Sequence, residues 1–372
     1  MSEAWETILQ ETSLGKRLTP DEAALLYRSA PFRALGRAAR RRRIERVDPG
    51  KVTYLIDRNI NYTNVCITDC QFCAFYRPPG HDEAYTLSNE QIGRKIEETL
   101  AIGGTRILMQ GGHHPDLPLT WYTDLLGWIR AHFPAIEIDA FSPSEIDHIA
   151  SLERITILET LERLKEAGLA GLPGGGGEML DDEVRRRVSP KKQDAAGWLE
   201  VMRRAQAIGL ATTCTQVIGF GETLEQRIGH LSRLRDLQDE SQAEHGNGFI
   251  AFIAWTLQTA NTPLASSAQK RTYGATGGEY LRHVAVSRLF LDNVDHIQSS
   301  WPTQGERVAR MALGFGADDF GSTMLEENVV SSAGTTRCSM SEAEICTQIR
   351  RAGFKPAQRD TRYQLINSEV QA

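Results

Sequence analysis

The chain is short of cysteine, aromatic residues, long apolar runs and any strong excess of one charge, and each shortage excludes a class of protein. Its 372 residues carry 42 Lys+Arg against 48 Asp+Glu, a net charge of −6. A balance this even offers no broad basic surface to nucleic acid or to an anionic membrane, so neither is expected as a partner. No segment approaches the roughly 20 consecutive apolar residues of a membrane-spanning helix. The opening MSEAWETILQETS lacks the basic-then-apolar order of a secretory signal, which makes a cytoplasmic protein the expectation. Aromatics are only 7% of the chain, and none interleaves the arginine run 40–43, which reads as the solvated face of a helix. Six cysteines are too few for a disulfide framework, yet Cys66, Cys70 and Cys73 crowd into eight positions.

What is present is ordered alternation. Thr19-Pro20-Asp21-Glu22 joins an N-cap, a proline at the first helical position and a capping-box acid, so residues 1–50 read as a helical preamble. From residue 52, β-rich runs alternate with amphipathic stretches. Strands are expected at 53–56 or 59–63, at 105–110 and 136–141, near Leu169, at 211–220, 249–255 and 296–301, and near Asp319. Between the first two, Ser88-x-x-Gln91 opens a helix with Ile92, Ile96 and Leu100 on one face and Gly103-Gly104 as its stop. Eight strands with intervening helices, no internal repeat and no low-complexity linker predict one α/β unit, a (β/α)8 TIM-type barrel over 51–321, with a shorter, partly open barrel as the alternative because the fourth and eighth strands are weak. Residues 322–372 lack the alternation and are expected to pack over one end.

The strongest chemical signal is CITDCQFC, a C-x3-C-x2-C spacing placed after a strand and hence at the C-terminal mouth. Three thiolates on one loop can each hold one iron of a [4Fe-4S] cube and leave the fourth iron open for a ligand. Structural zinc needs four ligands, commonly in two separated pairs; Cys214, Cys338 and Cys346 form no second pair, although His81 is available as a fourth ligand. A redox dithiol across Cys70 and Cys73 leaves Cys66 unexplained. A non-catalytic iron-sulfur protein needs a fourth protein ligand, and no fourth cysteine lies near.

The spacing, with Phe72 before the last cysteine, resembles the radical S-adenosylmethionine (SAM) superfamily. Finer matches, among them RNINYTNVC, CAFYRPPG, ILMQGGHHPDLP, FSPSEI, RLFLDNVDHIQSSW and GADDFGSTMLEENVVSSAG, are similar to the dehypoxanthine futalosine cyclase family of the futalosine route to menaquinone. Aminofutalosine synthase and the deazaflavin (FO) synthase group are the nearer alternatives. The resemblance implies a radical SAM barrel, a [4Fe-4S] cluster on Cys66, Cys70 and Cys73, SAM on the open iron, and a flavodoxin- or ferredoxin-type electron donor. It implies a reaction in which a 5′-deoxyadenosyl radical takes the ribose C4′ hydrogen of dehypoxanthine futalosine and the resulting carbon radical bonds to the benzoate ring. It also places Phe72 by the adenine, Gln110, Gly111 and Gly112 at the SAM amino group, and Gly219 and Gly221 in the glycine motif of the fifth strand.

Other candidates follow from position at strand ends. Ser142 and Glu145 are hydrogen-bond partners for the SAM ribose or, equally, a local helix cap. Arg77 and Lys192 are candidate cations for a substrate carboxylate, with the surface as the commoner placement. His113 and His114 are candidate proton carriers or a turn before Pro115. Glu326, Glu327 and Asn328 offer a base or a solvated pair. Trp255 and Trp301 are candidate pocket walls or core residues.

Overall fold

A computed structural model describes residues 3–266, 273–335 and 337–366. Ten strands form one parallel sheet: β1 Lys51–Leu55, β2 Asp57–Ile60, β3 Arg106–Met109, β4 Glu137–Ala140, β5 Gly171–Leu172, β6 Ala211–Ile218, β7 Phe249–Thr256, β8 His296–Gln298, β9 Asp319–Ser322 and β10 Lys355–Gln358. Their order is β10-β1-β9-β8-β7-β6-β5-β4-β3-β2. The two ends of that order are nearly one strand, since only Ile56 separates β1 from β2. The first half pairs with β9, Thr53 opposite Asp319, and the second with β3, Asn59 opposite Leu108. Thr323 N–H donates to Leu55 O and Leu325 N–H to Asp57 O, carrying the β9 side past the junction. Residues 51–60 therefore close eight strand positions into a barrel, with all eight expected strands present.

The longest strands, β6 and β7, are rich in β-branched and aromatic residues and buried almost throughout, as a parallel sheet covered on its outer face requires. The helices end where their caps dictate. At the preamble's second helix, Pro20–Ser29, Glu22 N–H donates to Thr19 Oγ1 (3.2 Å) and Thr19 N–H to Glu22 Oε2 (2.9 Å). The same reciprocal pair opens Asn89–Ala101 at Ser88 and Gln91. One continuous core runs from Ile8 in the preamble through the barrel to Ile349.

Two expectations change. The arginine run 40–43 is not wholly solvated: Arg43 is buried, its guanidinium lies 4.6 Å from the Phe354 ring centre, and Nη2 donates to Lys51 O (2.6 Å). The segment after 322 also contributes a strand, β10, alongside β1. Proline at 356 and the absence of alternation hide it, and an edge position is where a strand tolerates proline.

The lower interior of the barrel holds interlocked charges. Arg106 pairs with Asp57 and with Asp139 (3.0 Å), while Asp319 accepts from Thr53 Oγ1 (2.6 Å) and Arg359 Nε (2.5 Å). Gly171 makes room for this layer, because a Cβ there would sit 2.1 Å from Asp139 Oδ1. Such groups, drawn from strands that start far apart in the chain, fill the end opposite the mouth.

Candidate functional site

At the C-terminal ends of the strands a cavity opens, and its lining includes Cys66, Cys70, Phe72 and Cys73. The loop that carries them alternates: Cys66, Thr68 and Cys70 face in, whereas Ile67 is exposed and Asp69 is half-exposed. Asp69 takes a positive φ of 41°, the tight turn that brings Cys70 back to the cavity. The Thr68 hydroxyl lies between two thiols, 3.0 Å from Cys66 Sγ and 3.6 Å from Cys70 Sγ. His113 N–H donates to Cys66 Sγ (3.3 Å). All three cysteines are free, and among the described residues no three His, Cys, Asp or Glu side chains converge on one ion. Three thiols around one cavity are candidate ligands, each able to take its own iron of a cube. Burial pushes the Cys70 thiol up to about 11 against the pull of Lys192, and Cys73 is raised for the same reason. A metal bound to these two thiols would reverse that shift and hold them as thiolates.

Gly111 and Gly112 are required by close packing against that loop. A Cβ on Gly112 would lie 2.1 Å from Val65 O, and one on Gly111 would lie 2.5 Å from the Tyr62 ring. Their N–H groups already donate, Gly111 to Glu145 Oε1 (2.9 Å) and Gly112 to Thr63 O (3.1 Å). The pair thus sets the height of the cysteine loop over the end of β3. Gln110 lines the cavity beside Gly175, whose Cβ would meet Gln110 Nε2 at 2.6 Å.

Ser142 and Glu145 take the helix-cap part expected of them. Ser142 caps helix Pro143–Glu153, accepting from Glu145 N–H and donating to Glu145 Oε2 (2.7 Å), and both residues line the cavity. Glu145 Oε1 also accepts from Tyr62 OH (2.7 Å). Burial raises the Glu145 carboxyl to about 7 in spite of these donors.

Lys192 is a correction to its expected surface placement. It lines the cavity with its side chain 12% exposed, pairs with Glu178 (2.9 Å) and stands 5.4 Å from the Phe72 ring centre. Burial alone would lower its pKa, but the adjacent Cys70 and Glu178 outweigh that and hold it above the ordinary lysine value. Glu178 Oε2 is buried with no hydrogen-bond partner and also faces the cavity. Gly175, Gly176 and Glu178 escaped the sequence reading because a glycine run reads as a turn. Their position after β5 was the available signal, and the strand ends three residues beyond Leu169.

The remaining candidates divide. His113 lines the cavity, is buried and stacks on His148 at 5.0 Å; burial drives its pKa well below the ordinary value, so the ring is neutral. His114 does not line the cavity, and its Nδ1 accepts from Asp116 N–H (3.1 Å), which makes it a turn residue. Trp255 lines the cavity and Trp301 does not; Trp301 is core, its indole N–H donating to Ser322 O (3.1 Å). Gly219 and Gly221 also lie off the cavity. A Cβ on Gly219 would meet the Gly274 backbone at 2.7 Å, so its positive φ of 107° joins two loops, while Val217 lines the cavity and the buried Phe220 ring backs Phe72 at 5.4 Å. Arg77 wraps the turn after Cys73, donating to Tyr76 O (2.9 Å) and pairing with Glu83 outside.

Glu326, Glu327 and Asn328 are neither solvated nor cavity-lining. Glu326 pairs with Arg58 (3.1 Å) and with Lys95, and Asn328 Nδ2 donates to Glu326 Oε1 (2.7 Å). Buried Glu327 accepts from Asn59 and caps the helix Asn328–Ser332 through Val329 N–H (2.8 Å) and Val330 N–H (3.0 Å). These anchors hold Val329, Val330 and Ala333 in the cavity lining, which also includes Trp255, Leu257, Gln258 and Thr303.

A parallel barrel with such a cysteine loop at its mouth defines a radical SAM enzyme. Residues 60–234 match the radical SAM superfamily and residues 246–371 the CofH/MqnC C-terminal region. The chain is 46% identical to the cyclic dehypoxanthine futalosine synthase of Halalkalibacterium halodurans, covering 97% of this chain and 95% of the relative. It is 44% identical to that of Streptomyces coelicolor, covering 96% and 88%. Identity to the aminodeoxyfutalosine synthase of Thermus thermophilus is 36%, covering 96% and 95%. The fold is shared with the FeFe-hydrogenase maturase HydG of Carboxydothermus hydrogenoformans, TM-score 0.74 at 20% identity over 96% of this chain and 80% of that one. The chain belongs to the radical SAM family of the cyclic dehypoxanthine futalosine synthases, and the superfamily implies a [4Fe-4S] cluster and SAM as cofactors. No helix among the described residues is long and apolar enough to cross a membrane.

Proposed function

We propose that this chain is the cyclase that converts dehypoxanthine futalosine to its cyclic form in menaquinone biosynthesis, working in the cytoplasm. The observation that carries the substrate is near-full-length identity of 44–46% to two synthases of that name, against 36% for the relative with a different product. When bound, the cluster and SAM supply a carbon radical that removes a hydrogen atom. The substrate loses two hydrogens in all, one as that atom and the other as a proton with one electron, as a carbon–carbon bond forms to the ring.

The residues divide this work by depth. Cys66, Cys70 and Cys73, all on the cavity, would each hold one iron of the cluster and leave the fourth for SAM, with Phe72 beside the adenine and the Ser142–Glu145 pair beside the ribose. Lys192 is the one cation among the described lining residues and meets a carboxylate there, while Gly175 and Gly176 leave the backbone bare for close approach. Farther out, Trp255, Leu257, Val329 and Val330 give apolar walls and Gln258 and Thr303 give hydrogen bonds, the mixture a sugar carrying a benzoate ring requires. Holding that ring still and excluding water lets the substrate radical close on it before another hydrogen donor intervenes.

The test is an anaerobic incubation of cluster-loaded protein with dithionite, SAM and dehypoxanthine futalosine, read by mass spectrometry. Free 5′-deoxyadenosine together with substrate minus two hydrogens is the expected result. An adenosyl group found inside the product would assign the chain to the aminodeoxyfutalosine synthase reaction instead.

A further inference from the structure

The segment 184–192, VRRRVSPKK, holds five cations and no acid in a chain whose net charge is −6. It lies against the cysteine loop: Gln71 N–H donates to Val188 O (2.8 Å), and Lys191 Nζ reaches Asp69 Oδ2 (2.7 Å) and Ile67 O (3.4 Å). Two of the five cations point inward, Lys192 to the cavity and Arg185 to the carbonyls of Gln193 and Gly176. The other three, Arg186, Arg187 and Lys191, are exposed. Beside them Ile67 is 41% exposed, a large apolar side chain on the outer surface of a loop whose inner surface carries Cys66 and Cys70. Asp69, the acid of this loop, is paired with Lys191, and Arg187 is fixed by Phe220 O (2.8 Å).

We propose that this outward face, Ile67 bordered by Arg186, Arg187 and Lys191, is where an acidic one-electron carrier protein docks to reduce the cluster. The inference rests on the reading of Cys66, Cys70 and Cys73 as cluster ligands. A single thickness of loop separates the face from the thiols, so a carrier seated there is nearer the cluster than one at the cavity mouth, which SAM and substrate fill. One electron leaves the carrier and one reaches the cluster; no bond or proton changes hands. An exposed apolar side chain beside a segment whose exposed cations outnumber the one acid of the loop suits brief docking, because the charges raise the encounter rate and orient the partner without a large buried area.

The probe is a bacterial flavodoxin titrated into the full-length chain and followed by calorimetry at about 0.02 and 0.3 M salt. Binding is expected at low salt and to weaken about tenfold or more at high salt or in Arg186→Glu combined with Lys191→Gln. Arg41→Glu, the same reversal as Arg186→Glu but on the helical preamble, should leave binding unchanged. In turnover, the double variant should form 5′-deoxyadenosine at the parent rate with dithionite and several-fold more slowly with reduced flavodoxin. Equal binding and equal flavodoxin-driven rates in parent and double variant would overturn the proposal, as would a loss seen with Arg41→Glu instead. Self-association of the parent abolished by Arg186→Glu would assign the face to a second copy and overturn it too. If the parent forms no 5′-deoxyadenosine even with dithionite, the cluster reading fails, and the docking face falls with it.

Discussion

The two ends of the barrel interior are both polar and both buried, yet they are built on opposite rules. At the lower end Asp57, Arg106, Asp139, Asp319 and Arg359 interlock through ion pairs among strands that start far apart in sequence. At the mouth three free thiols, the bare Oε2 of Glu178 and a carboxyl raised to about 7 face an open cavity. Charges locked to one another hold a fold, and polar groups turned to a cavity hold a ligand. The same parallel strands can carry both because their two ends are chemically independent.

That division can be broken from either side. The largest effect is expected at the mouth: Cys70→Ala should lower 5′-deoxyadenosine formation by about a thousandfold or more, with iron content falling and the melting curve of the apo chain little changed. The lower end should behave inversely. Arg106→Ala leaves Asp57 and Asp139 as unpaired buried charges, costing about 3–5 kcal/mol in denaturant unfolding, while turnover per folded, loaded molecule stays near that of the parent. Loss of turnover with unchanged stability in that variant would contradict the division.

Glu145 sharpens the comparison through pH. Its folded pKa of about 7 lies above the unfolded value, so the folded state binds the proton more tightly. The stability it contributes is complete below about pH 4.5 and is lost as pH rises through 7, a span worth about 3 kcal/mol. Glu145→Gln should therefore flatten the fall in Tm of the apo chain between pH 5 and pH 8; an unaltered slope would show the carboxyl to be ionised throughout. The smallest effect belongs to the cover. Val330→Ala should raise KM for dehypoxanthine futalosine about threefold, the scale of two lost methyl groups partly exposed, and leave KM for SAM in place.

How much of this is legible without coordinates depends on whether a feature is local. Strands, capping boxes and the cysteine loop depend on residues a few positions apart, and Thr19–Glu22, Ser88–Gln91 and Cys66–Cys73 are read directly from spacing. Lys192 and Arg43 are misplaced by the same reading. A lysine in a KK pair or an arginine in a run of four is ordinarily solvated, and only tertiary partners, Glu178 in one case and Phe354 in the other, bring it inside. Glu326 and Glu327 look like a solvated or catalytic pair for a related reason: their partners, Arg58, Lys95 and Asn59, lie more than 200 positions away. The strand β10 is missed because it is an edge strand with a proline, where local preference carries little signal.

The closure through residues 51–60 also dictates how the molecule is born and how it fails. The contact of Thr53 with Asp319 joins residues 266 positions apart, so the early chain waits for nearly all the rest before its first strand has both neighbours. Contacts so distant in sequence make for slow assembly, with long-lived unfinished forms that expose unpaired strand edges. They also tie the two ends of the polypeptide to a single fate: a cut made just before β9 removes a small fraction of the residues, yet it unlocks the ring and leaves two raw sheet margins where a sealed cylinder stood.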